Sequence, residues 1–193
     1  MSINETLLVL GAADDGRMLT SEEFADAVYE EPWRYERVEG RLLVIAADGQ
    51  RHHNGSRPWR NQFGGYWYLH PEVVEDLVMN AWVRIDDGTD RIGDIGVYLV
   101  ADGEVAKIPD RVPELIYKVG TPDKKSVHRD YFEKREEYHR LGIKEYVIAD
   151  RFTRLLTVLE HEPGGHRERT LTPDDIYTTP LLPGLAIPLA DVL

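Results

Sequence analysis

The fold is decided by the stretch from Pro113 to Ala149, which reads PELIYKVGTPDKKSVHRDYFEKREEYHRLGIKEYVIA. Its apolar-rich start, Glu114 to Val119, predicts a β-strand, and Ser126 to Leu141 predicts a helix that stops at Gly142. A second apolar run, Glu145 to Ala149, predicts another strand. Two strands that are joined by a crossover helix are expected to be parallel, so this stretch predicts an α/β fold.

The flanking sequence predicts further helices and strands. Thr20 and Glu23 have the spacing of a capping box and predict a first helix from Ser21 to Tyr29. The other predicted elements are a hairpin of Tyr35 to Val38 and Arg41 to Ile45, a helix from His53 to Leu69, strands from Leu77 to Ile85 and Ile92 to Val100, and an antiparallel pair of Arg154 to Leu159 and Arg167 to Leu171. The sequence therefore predicts a mixed β-sheet flanked by helices.

The composition narrows the classes of protein to which the chain can belong. Its 193 residues suit a single domain, which we expect to span residues 1–193 with residues 1–18 peripheral. The absence of cysteine excludes disulfide scaffolds, thiolate zinc sites and cysteine nucleophiles. With 23 basic and 35 acidic residues the net charge is −12, so nucleic-acid binding requires a local basic patch. Without an apolar run of membrane-spanning length or a basic signal-peptide start, the chain is expected to be cytoplasmic and to avoid membranes.

The helix predicted from Ser126 to Leu141 carries a lysine on its apolar side. Its apolar stripe is formed by Val127, Tyr131, Tyr138 and Leu141. Lys134 falls in the middle of that stripe on a helical wheel. Burying an ammonium group is costly, so we expect either a carboxylate partner, for which Asp94 is the candidate, or an amine that reaches a cleft. The alternative is a lysine whose stem is buried without any function.

Two further charges interrupt apolar strands. Asp94 is the single charge between Ile92 and Leu99, and its small neighbours predict room for a ligand to approach. Lys118 is the single charge between Leu115 and Val119, for which the alternative is a solvated position at a strand edge. Asp94, Lys118 and Lys134 each interrupt an apolar pattern. Together they predict one shared cleft.

Several motifs point to one family. In chain order they are Arg34 to Leu42, Asp90 to Ile95, Pro113 to Ile116, Asp130, Lys134, Tyr138, Gly142, Glu145-Tyr146 and Leu182 to Leu185. On these residues the chain resembles the Uma-two family of restriction endonucleases, from Leu19 to Leu193.

The resemblance implies a restriction-endonuclease-like PD-(D/E)xK core, in which acids on a mixed sheet bind a divalent metal and a lysine assists the attacking water. It places Asp94 at the first metal-binding acid, Glu36 at an additional acid on an early strand, and Lys134 at the helical lysine. The cofactor it implies is Mg²⁺ or Mn²⁺, held by the carboxylates of Asp94 and Glu36. For Glu36 the alternative is an exposed residue of a surface hairpin.

The chain departs from the family pattern at Lys118. The resemblance aligns Lys118 with the second metal-binding acid of the family, and Gly93 with the proline before the first acid. Replacing a carboxylate by an ammonium group changes the local charge by two units and repels a divalent cation. We therefore expect metal-dependent cleavage of DNA to be impaired or lost, with Lys118 paired to Asp94 or Glu36 in place of the metal.

Lys118 allows two interpretations. The first is a nuclease fold that persists as a non-catalytic module, which binds a partner or a second copy of itself. The second is a site rebuilt around the Lys118 amine as a nucleophile toward carbonyls. The implied partners are DNA and a second copy of the chain, since many nucleases of this architecture form homodimers.

Candidate nucleic-acid contacts lie beside the expected cleft. A basic cluster suited to phosphate contacts is formed by Lys124, Lys125, His128 and Arg129, and its alternative is a solvated loop. His53 is a further candidate, although a surface histidine is the alternative for the adjacent pair His52 and His53. Core packing is favoured over base stacking for the aromatic residues Trp59, Tyr66, Trp67 and Tyr68.

Overall fold

A computed structural model describes residues 7–46, 50–106 and 110–193 of the chain. In chain order its strands and helices are β1 (Val9–Leu10), α1 (Ser21–Asp26), β2 (Val28–Tyr29), β3 (Arg34–Val38), β4 (Arg41–Ile45), α2 (Gln50–Leu69), β5 (Val74–Asp86), β6 (Thr89–Leu99), β7 (Leu115–Val119), α3 (Lys124–His128), α4 (Lys134–Leu141), β8 (Glu145–Asp150), β9 (Leu155–Glu162), β10 (Gly165–Leu171), β11 (Ile176–Tyr177) and β12 (Ile187–Pro188). The fold is mixed α/β, with a large mixed sheet flanked by helices, as the sequence predicts.

The chain divides into two units. The first comprises the described residues of Met1–Asp48 and Arg84–Ile92, and the second comprises those of Gly49–Val83 and Gly93–Leu193. Of the segment expected to be peripheral, residues 1–6 lie outside the described residues, and Leu10 is fully buried.

The first unit is organised around the predicted hairpin of β3 and β4. These strands are antiparallel and are joined by Glu39 and Gly40, whose φ angles of 51° and 77° suit a tight turn that matches the twist of the strands. The capping box of α1 is confirmed, because Thr20 accepts from the backbone N–H of Glu23 and the Glu23 side chain accepts in return. The predicted end of α1 at Tyr29 is wrong, since Val28 and Tyr29 instead pair with β1 as a strand.

The second unit contains the strand, helix and strand that decide the fold. β7 and β8 are parallel, as predicted, and β7 also pairs antiparallel with β6. The predicted antiparallel pair is confirmed as β9 and β10, which extends the sheet beyond β8. Trp59 of α2 packs on this sheet, with its ring centroid 4.8 Å from that of Tyr117 in β7.

The aromatic residues of α2 divide into buried and exposed positions. Trp59 and Tyr66 are buried, which confirms the core-packing interpretation for them. For Trp67 and Tyr68 that interpretation is wrong, since their exposed fractions are 36% and 85%. Both follow Tyr66 directly, and consecutive residues of a helix point in different directions around its axis.

The crossover helix contains an irregular turn that the sequence did not reveal. α3 is followed by a π-helical turn, Arg129–Glu133, before α4 begins. Its buried positions are spaced by four residues: Ser126, Asp130, Lys134 and Tyr138. Val127, which was predicted to lie in the buried stripe, is exposed, because a π turn advances by fewer degrees per residue than the wheel assumes. Among the described helices, none has the length and apolar character that crossing a bilayer requires.

Tyr117 offers a test of the core packing. Its ring is fully buried and its hydroxyl has no hydrogen-bond partner among the described residues. We expect Tyr117→Phe to leave the free energy of unfolding unchanged or to raise it by about 1 kcal/mol, because a buried unsatisfied hydroxyl is removed. Urea denaturation checks this, and a loss of more than about 1 kcal/mol would mean that the hydroxyl has a partner.

Candidate active site

Asp94 and Lys118 form a buried ion pair in the second unit. Asp94 lies on β6 and Lys118 on β7, one step beyond the paired residues Ile95 and Tyr117. Lys118 Nζ lies 3.1 Å from Asp94 Oδ2, and the exposed fractions of the two residues are 5% and 4%. The backbone N–H of Val119 donates to the same carboxylate oxygen at 2.7 Å. The solvated edge position considered for Lys118 is therefore wrong, because an ammonium group is held inside the sheet against a carboxylate.

The space expected beside Asp94 is filled by neighbouring side chains. A Cβ atom on Gly93 would lie 2.6 Å from Ile116 Cγ2, and one on Gly96 would lie 2.7 Å from Ala81 Cβ. The prediction that the small neighbours of Asp94 leave room for a ligand is wrong at these two positions. The glycines instead allow the sheet to pack closely against apolar side chains.

Lys134 is buried, as the wheel predicts, and its carboxylate partner lies on the same helix. Lys134 is 1% exposed, and its Nζ lies 3.3 Å from Oδ1 of Asp130. Asp130 lies in the π turn, and Arg129 Nε is 3.5 Å from the same oxygen. Single π turns within α-helices are frequent at functional sites. The spacing of four residues along the helix thus holds a second buried cation and carboxylate together in the second unit.

Glu36 lies in the first unit and is fully buried. It accepts hydrogen bonds from Arg91 Nη1 and from the backbone N–H of Ile92, both at 3.2 Å. The interpretation of Glu36 as a surface hairpin residue is therefore wrong. Arg91, which is 1% exposed, was not singled out from the sequence, although it precedes Ile92 within the motif that contains Asp94.

Each of the two acids expected to hold a metal faces a cation of its own unit: Glu36 faces Arg91, and Asp94 faces Lys118. Within residues 7–46, 50–106 and 110–193, no three histidine or acidic side chains are arranged to hold a metal ion. The donor set around Asp94 does not fit Mg²⁺ or Mn²⁺, because an ammonium group contacts the oxygen that such an ion requires.

Three members of the basic cluster, Lys124, Lys125 and His128, are exposed to solvent. Lys124 and Lys125 lie at the start of α3. Arg129 is turned inward, where its Nη2 donates to Ser126 Oγ at 3.0 Å. His53 is exposed on α2, with Arg60 Nη2 3.3 Å from its Nε2. Contacts of the basic cluster and of His53 with a nucleic acid stay a prediction, and Lys124 and Lys125 are the most accessible to a phosphate.

Arg151 is a further cation that the sequence analysis missed. It follows the last residue of β8, and a Cβ atom on Gly55 of α2 would lie 3.3 Å from its Cδ and 3.6 Å from Val119 Cγ1. Arg151 therefore stands near the end of β7, beside Val119. The sequence could have indicated Arg151 through its position directly after a parallel strand, since ligand-binding residues in α/β sheets often follow the carboxyl ends of strands.

Two tyrosines near these ion pairs are held in the neutral form. Burial, together with the carboxylates of Asp150 and Asp130, raises the pKa of Tyr131 to about 12. Burial, with a smaller effect of the Asp94 carboxylate, raises the pKa of Tyr117 well above its usual value. Neither phenol supplies a base at neutral pH.

Comparison with known families connects this architecture to one of them. The model of the Uma2 family, described as "Putative restriction endonuclease", matches residues 21–190. The chain belongs to the Uma2 family. A search of the curated proteins found no match.

A solved structure supports the fold assignment. The crystal structure of a protein from Anabaena variabilis ATCC 29413, described as a putative nuclease belonging to DUF820, is similar with a TM-score of 0.69 and 15% sequence identity. The match covers 90% of this chain and 97% of that protein. At this identity the likeness establishes a shared fold, so the Uma2 chain has the architecture of that protein.

Proposed function

We propose that this Uma2 protein keeps a nuclease-type fold in which metal-dependent hydrolysis of phosphodiesters is blocked by Lys118. The observation that carries the proposal is the buried contact of 3.1 Å between Lys118 Nζ and Asp94 Oδ2. The resemblance to the family aligns Lys118 with an acid that binds the metal. The ammonium group thus supplies, from within the chain, the positive charge that a metal would bring.

Electrostatics favours the ion pair over a bound metal. At an effective dielectric constant of about 20, an ammonium group and a divalent ion about 4 Å apart repel each other by roughly 8 kcal/mol. Lys118 is part of the chain, so its ammonium group already contacts the Asp94 carboxylate before any ion binds. Glu36 is occupied in the same way by Arg91. If activity were restored, the resemblance implies that Asp94 would help to hold Mg²⁺ or Mn²⁺ and that Lys134 would assist the attacking water.

The function that this arrangement favours is non-catalytic binding of DNA. The exposed residues Lys124 and Lys125 provide a local positive patch on a chain whose net charge is −12. DNA binding through these two residues is therefore expected to be weak and to fall only about tenfold between about 50 and 200 mM salt. A homodimer, inferred by analogy with nucleases of this architecture, and a cytoplasmic location, expected from the sequence, complete the proposal. Sedimentation of the purified chain tests the dimer.

The nucleophilic-amine alternative for Lys118 is disfavoured by the same contact. An amine attacks a carbonyl through its unprotonated form. The carboxylate of Asp94 at 3.1 Å stabilises the protonated form of Lys118 instead.

Nicking of a supercoiled plasmid in the presence of Mn²⁺ tests the proposal. We expect no nicking by the natural chain and measurable nicking by Lys118→Glu, because the substitution restores an acid where the family has one. The same variant should bind Mn²⁺ in a calorimetric titration. A matched control is Lys144→Glu, which makes the same change of charge at an exposed lysine and should remain inactive.

Two results would contradict the proposal: nicking by the natural chain at the rate of Lys118→Glu, or a folded Lys118→Glu protein that binds no Mn²⁺. Should two adjacent acids prevent folding, Lys118→Gln removes the ammonium group without adding a negative charge. Mn²⁺ binding is then expected to appear in Lys118→Gln, and its absence from the folded variant counts against the proposal.

A further inference from the structure

Three histidines of the second unit come together where α4 meets the hairpin of β9 and β10. His161 and His166 are directly opposite each other in the antiparallel register of that hairpin. His139 of α4 packs against both, with its ring centroid 4.5 Å from that of His161 and 4.7 Å from that of His166. Directly opposite residues in such strands have Cβ atoms only about 5 Å apart. One helix and two strands thus gather three imidazole rings in one place.

The hydrogen bonds of two rings fix which nitrogen carries the proton. His139 Nε2 lies 3.0 Å from the backbone oxygen of Glu162, and His166 Nε2 lies 3.0 Å from that of Arg135. A carbonyl oxygen only accepts, so each Nε2 must be the N–H donor. Each Nδ1 in the neutral ring therefore keeps its lone pair. Histidines that bind metals typically donate their other N–H to a backbone carbonyl in this way.

His166 shows the strongest sign of a missing partner. Its Nδ1 atom is buried and has no hydrogen-bond partner among the residues that the structure describes. An imidazole nitrogen with a free lone pair is the atom that coordinates a metal ion.

We propose that His139, His161 and His166 form a binding site for Zn²⁺ or a chemically similar divalent transition metal. Three imidazole nitrogens and one water make up the tetrahedral set that Zn²⁺ accepts, whereas Mg²⁺ prefers oxygen. Within the described residues the ligating atoms do not yet surround one point, so binding requires the His161 ring to turn about its side-chain bonds while His139 and His166 keep their bonds to the backbone carbonyls. The three residues lie on α4, β9 and β10, whereas Asp94 and Lys118 lie on β6 and β7.

Titration of the full-length chain, freed of any affinity tag and of metals, tests this site with Zn²⁺ alone. We expect one equivalent of Zn²⁺ per chain by calorimetry. Binding should be at least about tenfold weaker in His139→Asn, His161→Asn and His166→Asn, because even loss of an outer partner weakens metal affinity about 10- to 100-fold. Substitution with Co²⁺ should give the visible absorption of a tetrahedral site, which the same variants lose.

The matched control is His128→Asn, which removes an exposed histidine of α3 and should leave Zn²⁺ binding unchanged. The proposal is overturned if the natural chain binds no Zn²⁺, or if folded His166→Asn binds it as tightly as the natural chain. It is equally overturned if His128→Asn weakens binding as much, since that result indicates scattered surface histidines.

Discussion

Asp94→Ala is expected to lower the free energy of unfolding by about 3–5 kcal/mol, because it leaves the buried ammonium group of Lys118 without its carboxylate. The substitution also removes the acceptor of the Val119 N–H, which lies 2.7 Å from Asp94 Oδ2. A charge that is 5% exposed cannot regain its hydration without opening the sheet between β6 and β7. Urea denaturation at pH 7, with the midpoint and slope compared between the natural chain and the variant, gives the difference directly.

A paired substitution separates the ion pair from simple loss of packing. In Asp94→Asn/Lys118→Met the amide oxygen still accepts from Val119, and methionine fills the volume of the lysine stem. We expect this double variant to regain most of the stability, since uncharged residues of similar volume often replace a buried ion pair without loss. If Asp94→Ala costs less than about 1 kcal/mol, or if the double variant is no more stable than Asp94→Ala, the ion pair does not hold the two strands as described.

The elements that local sequence specifies were predicted well. β7, the crossover helix and β8 follow from apolar runs and from Gly142, which adopts a φ of 82° directly after α4. The hairpin of β3 and β4 follows from Glu39 and Gly40, because positive φ at both turn residues suits a two-residue connection. Each of these features depends on residues close together in the chain.

The errors occur where distant parts of the chain decide the outcome. α1 ends early because Val28 and Tyr29 pair with β1, which lies before α1 in the chain. Val127 is exposed because of a π turn that helical periodicity does not report. The space expected at Gly93 is filled by Ile116, whose position depends on the register of β6 and β7.

The candidate site was partly predictable for the same reason. A charge within an apolar strand is visible in the sequence, so Asp94 and Lys118 could be chosen and their pairing expected. The partner of Glu36 could not, since Arg91 is an ordinary charged residue until the strand register brings it into contact with Glu36. Asp130 precedes Lys134 by four residues, a spacing at which side chains of a helix meet, so that pair was open to prediction. A charged residue that interrupts an apolar pattern can be recognised in the sequence, whereas a partner on a distant strand is determined by the folded structure.

Glu145→Ala is expected to lower the free energy of unfolding by about 2–4 kcal/mol, because two buried hydroxyl groups lose their acceptor. Glu145 of β8 is 1% exposed and accepts hydrogen bonds from Tyr177 and Thr179. These bonds connect the last strand pair, β11 and β12, to β8. Chemical denaturation at pH 7 measures the loss.

Glu145→Gln isolates the charge of this carboxyl group. Burial raises the pKa of Glu145 above 4.5, although the bonds from Tyr177 and Thr179 oppose the shift. Because the pKa of Glu145 is higher in the folded than in the unfolded protein, protonation of this carboxyl group stabilises the fold. That stabilisation is fully present below about pH 4.5 and is lost as the pH rises through the folded pKa. The difference in stability between Glu145→Gln and the natural chain should therefore shift in favour of the variant as the pH rises above about 4.5. Comparing the two proteins at each pH cancels the titration of all other groups. Identical pH dependence in both would show that Glu145 titrates in the folded protein as it does in the unfolded chain, and burial would then not be what governs its charge.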